Sequence, residues 1–148
     1  MRVPVPWVFV LVYLAGAWLD SRRSSAANAG ASTSLTIVGA VLLGAGALIA
    51  VWCLIIFHRA RTTTVPGQAS VKLVTWGPYQ FTRNPMYVGL TLAYLGEAGL
   101  LKHIWPVVLL PLVIAYLNWT VIPVEEARLA EVFQDEYDRY RGRVRRWI

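Results

Sequence analysis

MYVGLTLAYLGEAGLLKHIWPVVLLPLVIAYLNWTVIPV, residues 86–124, is an apolar stretch interrupted near its middle by Lys102 and His103. A helix rises about 1.5 Å per residue, so the stretch has room for two passes through a hydrocarbon core about 30 Å thick. A chain that enters beside Tyr87 returns beside Glu125. The flanking segments, GPYQFTRNPMYVG (77–89) and EEARLAEVFQDEYDRYRGRVRRW (125–147), are polar, aromatic and charged, and the hairpin brings them to one membrane face. Function is expected where they meet. The first arm, Met86 to about Leu101, reaches only ~24 Å and should begin or end below the surface, beside protein or water. Trp105-Pro106 opens the second arm; Pro106 suits a first helical turn and Pro111 should kink the helix.

Composition agrees. With 57% hydrophobic and 15% charged residues over 148 positions, the chain is far more apolar than a soluble domain. Neither polar stretch, 58–85 or the tail after Val124, is long enough to bury a core of its own, so any site is built partly from membrane helices. Cys53 is the sole cysteine and lies in an apolar run, which excludes an intrachain disulfide and a cysteine-rich metal site. It reads as a packing residue, and no metal is expected.

Two further apolar runs lie upstream. Val3 to Leu19 is a marginal span, with Trp7 and Trp18 where interfacial anchors sit. A secretory signal peptide is the rival reading, because Arg2 precedes the run and Ala27-Asn28-Ala29 resembles a cleavage site; the long polar stretch before that site favours a retained span. Leu35 to Phe57 is a full-length span whose Ala40/Gly44 and Gly46/Ala50 pairs have the spacing that lets helices approach closely, within the bundle or between protomers of a homo-oligomer.

The expected fold is therefore a single all-α membrane domain of about four transmembrane helices with a C-terminal amphipathic cytoplasmic helix. Residues 1–57 carry two spans, 58–85 a cytoplasmic loop, 86–124 the helical hairpin and 125–148 the tail. One side of this arrangement receives Arg2, Arg59, Arg61, Lys72, Arg83, Arg128, Arg139, Arg141, Arg143, Arg145 and Arg146; the other receives Arg22, Arg23 and Lys102. The positive-inside rule makes the first side cytoplasmic, with both termini, in the cell (inner) membrane of a prokaryote. The net charge of +6 is a topology signal that also attracts anionic lipid headgroups. Nucleic acid is not an expected partner, because no recognition fold accompanies the basic residues.

Asn84-Pro85 is a helix start, with the amide placed to cap free backbone N–H groups and the proline at the first helical position. Such an end favours anions, and Arg83 beside it can grip a carboxylate or phosphate with two parallel hydrogen bonds; alone, an interfacial arginine resting on lipid phosphate is the simpler account. Along the helix Tyr87, Thr91 and Tyr94 share one face, whereas Gly89, Ala93 and Gly96 share another that packs closely. Glu97 is an ionisable group inside a span and so a functional candidate by default, although it stands nearer the outer end, within reach of the interface or Lys102.

Glu125-Glu126 follow Pro123 where the last span gives way to the tail. Adjacent positions diverge by about 100° on a helix, so one carboxylate can face inward while the other faces solvent. Favourable charge at a helix start and pairing with Arg128 is the structural alternative. Leu129, Val132, Phe133, Tyr137, Tyr140 and Val144 recur at helical spacing and form an apolar, aromatic face that lies on the membrane or folds over the site. A carboxylate pair, an arginine at a helix end, tyrosines and access from lipid suit S-adenosylmethionine, since carboxylate can hold ribose or amine, arginine the carboxylate, and aromatics the adenine and sulfonium. A nucleotide or an anionic lipid satisfies much of the same inventory.

The two quoted segments resemble the paired signature of the isoprenylcysteine carboxyl methyltransferase family, with its Gly-Pro-Tyr, Arg-His/Asn-Pro-x-Tyr-x-Gly and Glu-Glu motifs. The likeness runs from about Leu73 to Ile148. It implies S-adenosylmethionine as cofactor and a lipophilic or lipidated acceptor entering from the membrane. By the resemblance, Arg83, Asn84, Pro85, Tyr87, Gly89, Glu125 and Glu126 hold the cofactor, with Tyr137, Tyr140 and Arg143 in a covering tail; Tyr79 of the first segment and Tyr94 of the hydroxyl face are further cofactor-binding candidates. Arg83, Glu125 and Glu126 are the catalytic candidates. Asn84 departs from the histidine usual in that family and resembles the related phospholipid N-methyltransferases, which leaves the acceptor open; asparagine does not titrate and is no general base. In-line displacement on the methyl carbon is the expected reaction, with positioning supplying most of the rate. A carboxylate acceptor needs no base, whereas an ammonium acceptor would require Glu125 or Glu126. A non-catalytic assembly or lipid-binding protein is the reading from another class.

Overall fold

The computed structural model describes residues 4–22, 33–60 and 72–148. Expectations resting on Arg2, Val3, Arg23, Ala27-Asn28-Ala29 and Arg61 lie outside the described residues. In chain order the elements are α1 (Val5–Ser21), α2 (Thr33–Ala60), a 3₁₀ turn (Gly77–Gln80), α3 (Pro85–Leu101), α4 (Trp105–Tyr116), a π-helical turn (Leu117–Val121) and α5 (Ile122–Arg143), with no strand among the described residues. Two helical stretches are long and apolar enough to cross a membrane: α2, and α4 continued through the π turn into α5. α1 and α3 are apolar but have 17 residues each.

α2 and α3 pack antiparallel. Gly39 near the start of α2 meets Gly96 and Leu100 late in α3, while Gly46 meets Gly89 and Ala93. A Cβ at Gly46 would stand 2.5 Å from the Gly89 carbonyl oxygen and from the Ala93 nitrogen, atoms of rigid backbone. In lipid, contact of this kind is a main source of helix association. The glycines that make it differ from those singled out in the sequence: Gly44 has nothing within 4 Å and Ala40 is exposed, so the α2 seam is Gly39, Gly46 and Ala50. The Gly89, Ala93, Gly96 face of α3 packs as expected. Gly46→Val should lower the thermal unfolding midpoint in detergent, since overpacking costs about 1–3 kcal/mol, while Gly44→Val leaves it unchanged; equal shifts in both would refute this seam.

α1 lies against α4 in the same way, with Gly16 directly on Pro106. Tyr94 of α3 closes the junction: its hydroxyl donates to the Pro106 carbonyl at 2.9 Å, and Tyr13 and Phe9 meet its ring edge-to-face at 5.1 and 6.0 Å. The α3–α4 turn runs through Lys102 in the left-handed region (φ 58°), and the Asp20 carboxylate accepts the otherwise orphaned Trp105 N–H at 3.0 Å, as helix starts require. Glu97 is exposed and makes no ion pair with Lys102 among the described residues. Cys53 is fully buried with Ile56, Val74 and Tyr79, the packing role expected of it.

α4 runs on through Pro111, and a π turn follows around Asn118. The tail is not one uninterrupted amphipathic helix: Gln134, with φ 43° and ψ −121°, breaks α5, a conformation that costs a non-glycine residue about 1–3 kcal/mol. Beyond the break Tyr137 and Tyr140 pack on Leu73, with Leu129, Phe133 and Val144 around them; Val132 instead is 51% exposed. After Arg143 the chain turns extended and runs back across the start of α3.

Candidate functional site

The loop before α3 is tied down from both sides. Gly77 takes a left-handed φ of 65° against the Ile56 side chain, a conformation suited to glycine. The turn it begins buries the Tyr79 ring edge-on to Phe57 at 5.6 Å. Tyr140 fastens the loop to the tail, its hydroxyl donating to the Tyr79 carbonyl at 2.8 Å. Burial pushes the hydroxyls of Tyr79 and Tyr140 well above the ordinary tyrosine range, so both remain neutral donors.

Residues 82–84 then pair with the returning C-terminal segment. The Arg83 N–H donates to the Arg145 carbonyl at 2.9 Å, and the Arg146 carbonyl accepts from both Thr82 Oγ1 and Asn84 Nδ2 at 3.0 Å. Asn84 occupies the N-cap position of α3, yet its side chain makes no capping bond. That corrects the expectation for the amide: it holds the tail. Pro85 follows, fully buried at the first helical position.

The two glutamates diverge as adjacent helical positions must. Glu125 accepts a short bond, 2.7 Å, from the Tyr87 hydroxyl; burial raises its carboxyl above the usual range, with the Tyr87 bond and Arg128 opposing. Glu126 sits between two guanidinium groups. Arg146 grips it with Nε on Oε1 at 3.2 Å and Nη2 on Oε2 at 2.6 Å, and this bond raises the Arg146 pKa further. Arg83 reaches Oε1 through Nη2 alone, at 3.2 Å, with both side chains nearly buried. Arg83 Nε and Nη1 are buried with no hydrogen-bond partner among the described residues, as is the Tyr137 hydroxyl, which feels the nearby Arg83 charge. Buried donors left unpaired cost about 1–3 kcal/mol each, and such groups mark a place for an acceptor.

The sequence-predicted residues thus divide. Arg83, Asn84, Pro85, Tyr87, Glu125, Glu126 and Tyr137 come together, with Tyr79 and Tyr140 bracing them. Gly89 serves the α2 contact, Tyr94 packs near the opposite end of the bundle, and the exposed Arg143, among the described residues, bonds only to the Arg139 carbonyl of its own helix. Thr91 likewise spends its hydroxyl on the Tyr87 carbonyl. Thr82, Asn118, Arg146 and Trp147 join the site without having been singled out: Asn118 Oδ1 accepts from Arg146 Nη1 and Trp147 Nε1, both at 3.3 Å. Asn118 carried one signal, an amide between apolar neighbours inside a span. An open apolar groove of about 610 Å³ along α4, lined by residues including Leu110, Ile114 and Trp119, ends at Asn118 and Trp147.

An apolar helical bundle that gathers an arginine, two carboxylates and donors unpaired among the described residues at one end is a membrane protein with a candidate polar site there. Residues 35–136 match the phospholipid methyltransferase (PEMT) family, and the chain belongs to it. Over 72 residues it is 39% identical to the protein-S-isoprenylcysteine O-methyltransferase of Schizosaccharomyces pombe (strain 972), a match covering 49% of this chain and 30% of that protein. The chain thus spans less than a third of the length of this relative. No solved structure matches it.

Proposed function

We propose that this protein is a four-span membrane methyltransferase that uses S-adenosylmethionine to methylate the carboxylate of a lipophilic acceptor, in the manner of isoprenylcysteine carboxyl methyltransferases. The site and both termini face the cytoplasm. The observation that carries the reading is the Arg83 guanidinium, anchored to Glu126 by one nitrogen and presenting two unpaired buried donors beside the Tyr137 hydroxyl. That donor set fits the carboxylate of a methionine moiety, and the neighbouring Glu125 and Glu126 carboxylates fit its amine or ribose hydroxyls.

S-adenosylmethionine supplies an electrophilic methyl group on sulfonium when bound. The chain's part is to orient the donor through Arg83, Glu126 and Tyr137 and to exclude water beneath the tail; held geometry of this kind accounts for much of a displacement rate. A carboxylate acceptor arrives deprotonated. Its hydrocarbon portion suits the apolar groove along α4, which ends at Asn118 and Trp147 beside Arg146.

Phospholipid N-methylation is the second reading, favoured by Glu125, a carboxylate held by Tyr87 and raised by burial, which suits a base for an ammonium acceptor. Asn84 does not discriminate between the two, because its side chain serves the tail. Transfer of labelled methyl to a panel of prenylcysteine, fatty acid, thiol and aminophospholipid acceptors decides. Base-labile methyl ester on the prenylcysteine is the expected product, and label confined to the amine would replace this reading with the second.

A further inference from the structure

The most heavily engaged residue of the site is Arg146. Its backbone carbonyl receives Thr82 and Asn84, its guanidinium grips both oxygens of Glu126, and its remaining terminal nitrogen reaches Asn118 in the π turn. Two arginines compete for one carboxylate, and the competition is unequal. Arg146 takes Oε2 outright and shares Oε1, so Arg83 is left with a single contact through Nη2.

An arginine buried beside a carboxylate ordinarily closes a two-pronged pair with it, since that geometry satisfies most of the fork at once. Here the second prong is withheld. Arg83 keeps Nε and Nη1 buried without a hydrogen-bond partner among the described residues, with the Tyr137 hydroxyl close by.

We propose that Arg146 is a positioning residue that occupies Glu126 in order to reserve the Arg83 fork for the carboxylate of the methyl donor. The inference rests on the S-adenosylmethionine reading above and adds to it a specific division of labour. Arg146 need not touch the donor: it acts through Glu126, and the tail that carries it is held in register by the bonds from Thr82 and Asn84. Without Arg146, Glu126 turns both oxygens to Arg83, the anion position fills from within, and the carboxylate of the donor loses its partner while the rest of the donor does not.

Selectivity reads this out where a loss of structure does not. Calorimetric affinities for S-adenosylmethionine and for decarboxylated S-adenosylmethionine, measured on the full chain in detergent, give a ratio that reports the carboxylate contact alone. The wild-type ratio should favour the carboxylate-bearing ligand by at least tenfold. In Arg146→Ala the ratio should fall tenfold or more. In Arg146→Lys, whose ammonium cannot span both oxygens, it should fall between the two, and this variant carries the comparison if the alanine form does not fold. A ratio unchanged from wild type, whether or not both affinities weaken together, overturns the role of Arg146 and leaves the donor assignment standing. Saturable binding of neither ligand by the wild type overturns the donor assignment and this inference with it.

Discussion

Arg83→Ala should abolish measurable binding of S-adenosylmethionine while leaving the protein at least as stable as the wild type. The two halves of this expectation have separate causes. Truncating one partner of a buried, charge-assisted pair costs about 2–5 kcal/mol of binding, and at about 1.4 kcal/mol per decade affinity falls by roughly 25-fold or more. Stability responds differently, because Arg146 already holds Glu126 through both oxygens. Removing Arg83 therefore strands no carboxylate, and it removes the buried Nε and Nη1 donors that have no partner among the described residues. Calorimetry together with thermal unfolding in detergent tests both halves. Unchanged affinity would sink the assignment of Arg83 to the donor, and a large drop in the unfolding midpoint would show that Arg83 holds the fold instead.

Much of this site was legible in the sequence because its logic is local or follows from the hairpin. Met86 to Val124 had to return the chain to the face it left, which brought Arg83 to Glu126 across a separation of 43 positions, by subtraction of their numbers in the sequence. Divergence of adjacent helical positions sent Glu125 to Tyr87 and Glu126 to the arginines. The hidden part depends on a chain reversal that no local pattern encodes. Arg146 is one arginine in the run Arg139, Arg141, Arg143, Arg145, Arg146, and only the return of the chain after Arg143 separates it from neighbours that stay in solvent. The same reversal decides Asn84, whose amide meets the Arg146 carbonyl before it can serve its own helix.

The helices show a similar division. Apolar runs located the four principal helices, but α2 carries Gly39, Ala40, Gly44, Ala45, Gly46, Ala47 and Ala50, small residues on nearly every face. Spacing alone cannot say which of them meets α3; the partner's own seam of Gly89, Ala93 and Gly96 selects Gly39 and Gly46. Gln134 has neither the lack of a side chain that makes glycine a break nor the ring of proline. Its positive φ stands one turn before Tyr137, which lies near Arg83, and two before Tyr140, which bonds the Tyr79 carbonyl.

Glu126→Ala should be the most damaging single change, and for a reason opposite to that for Arg83. Glu126 is the one carboxylate between the Arg83 and Arg146 guanidinium groups, with 13% of its side chain exposed. Its loss leaves two cations facing each other, one of them almost buried, and breaking a buried pair from one side costs about 3–5 kcal/mol. The tail loses its shortest side-chain anchor at the same time, the Arg146 grip on Glu126, and keeps the longer bonds to Asn118 and the bonds from Thr82 and Asn84. A lowered unfolding midpoint, faster proteolysis after Arg143 and lost donor binding should therefore appear together. Adding Arg83→Ala to Glu126→Ala removes one of the two stranded cations, so the double variant should unfold at a higher temperature than Glu126→Ala alone. Neighbouring sites that share a partner are expected to be coupled in this way. If the two changes simply add, Glu126 does not mediate between the arginines, and the arrangement on which the donor site depends is wrong.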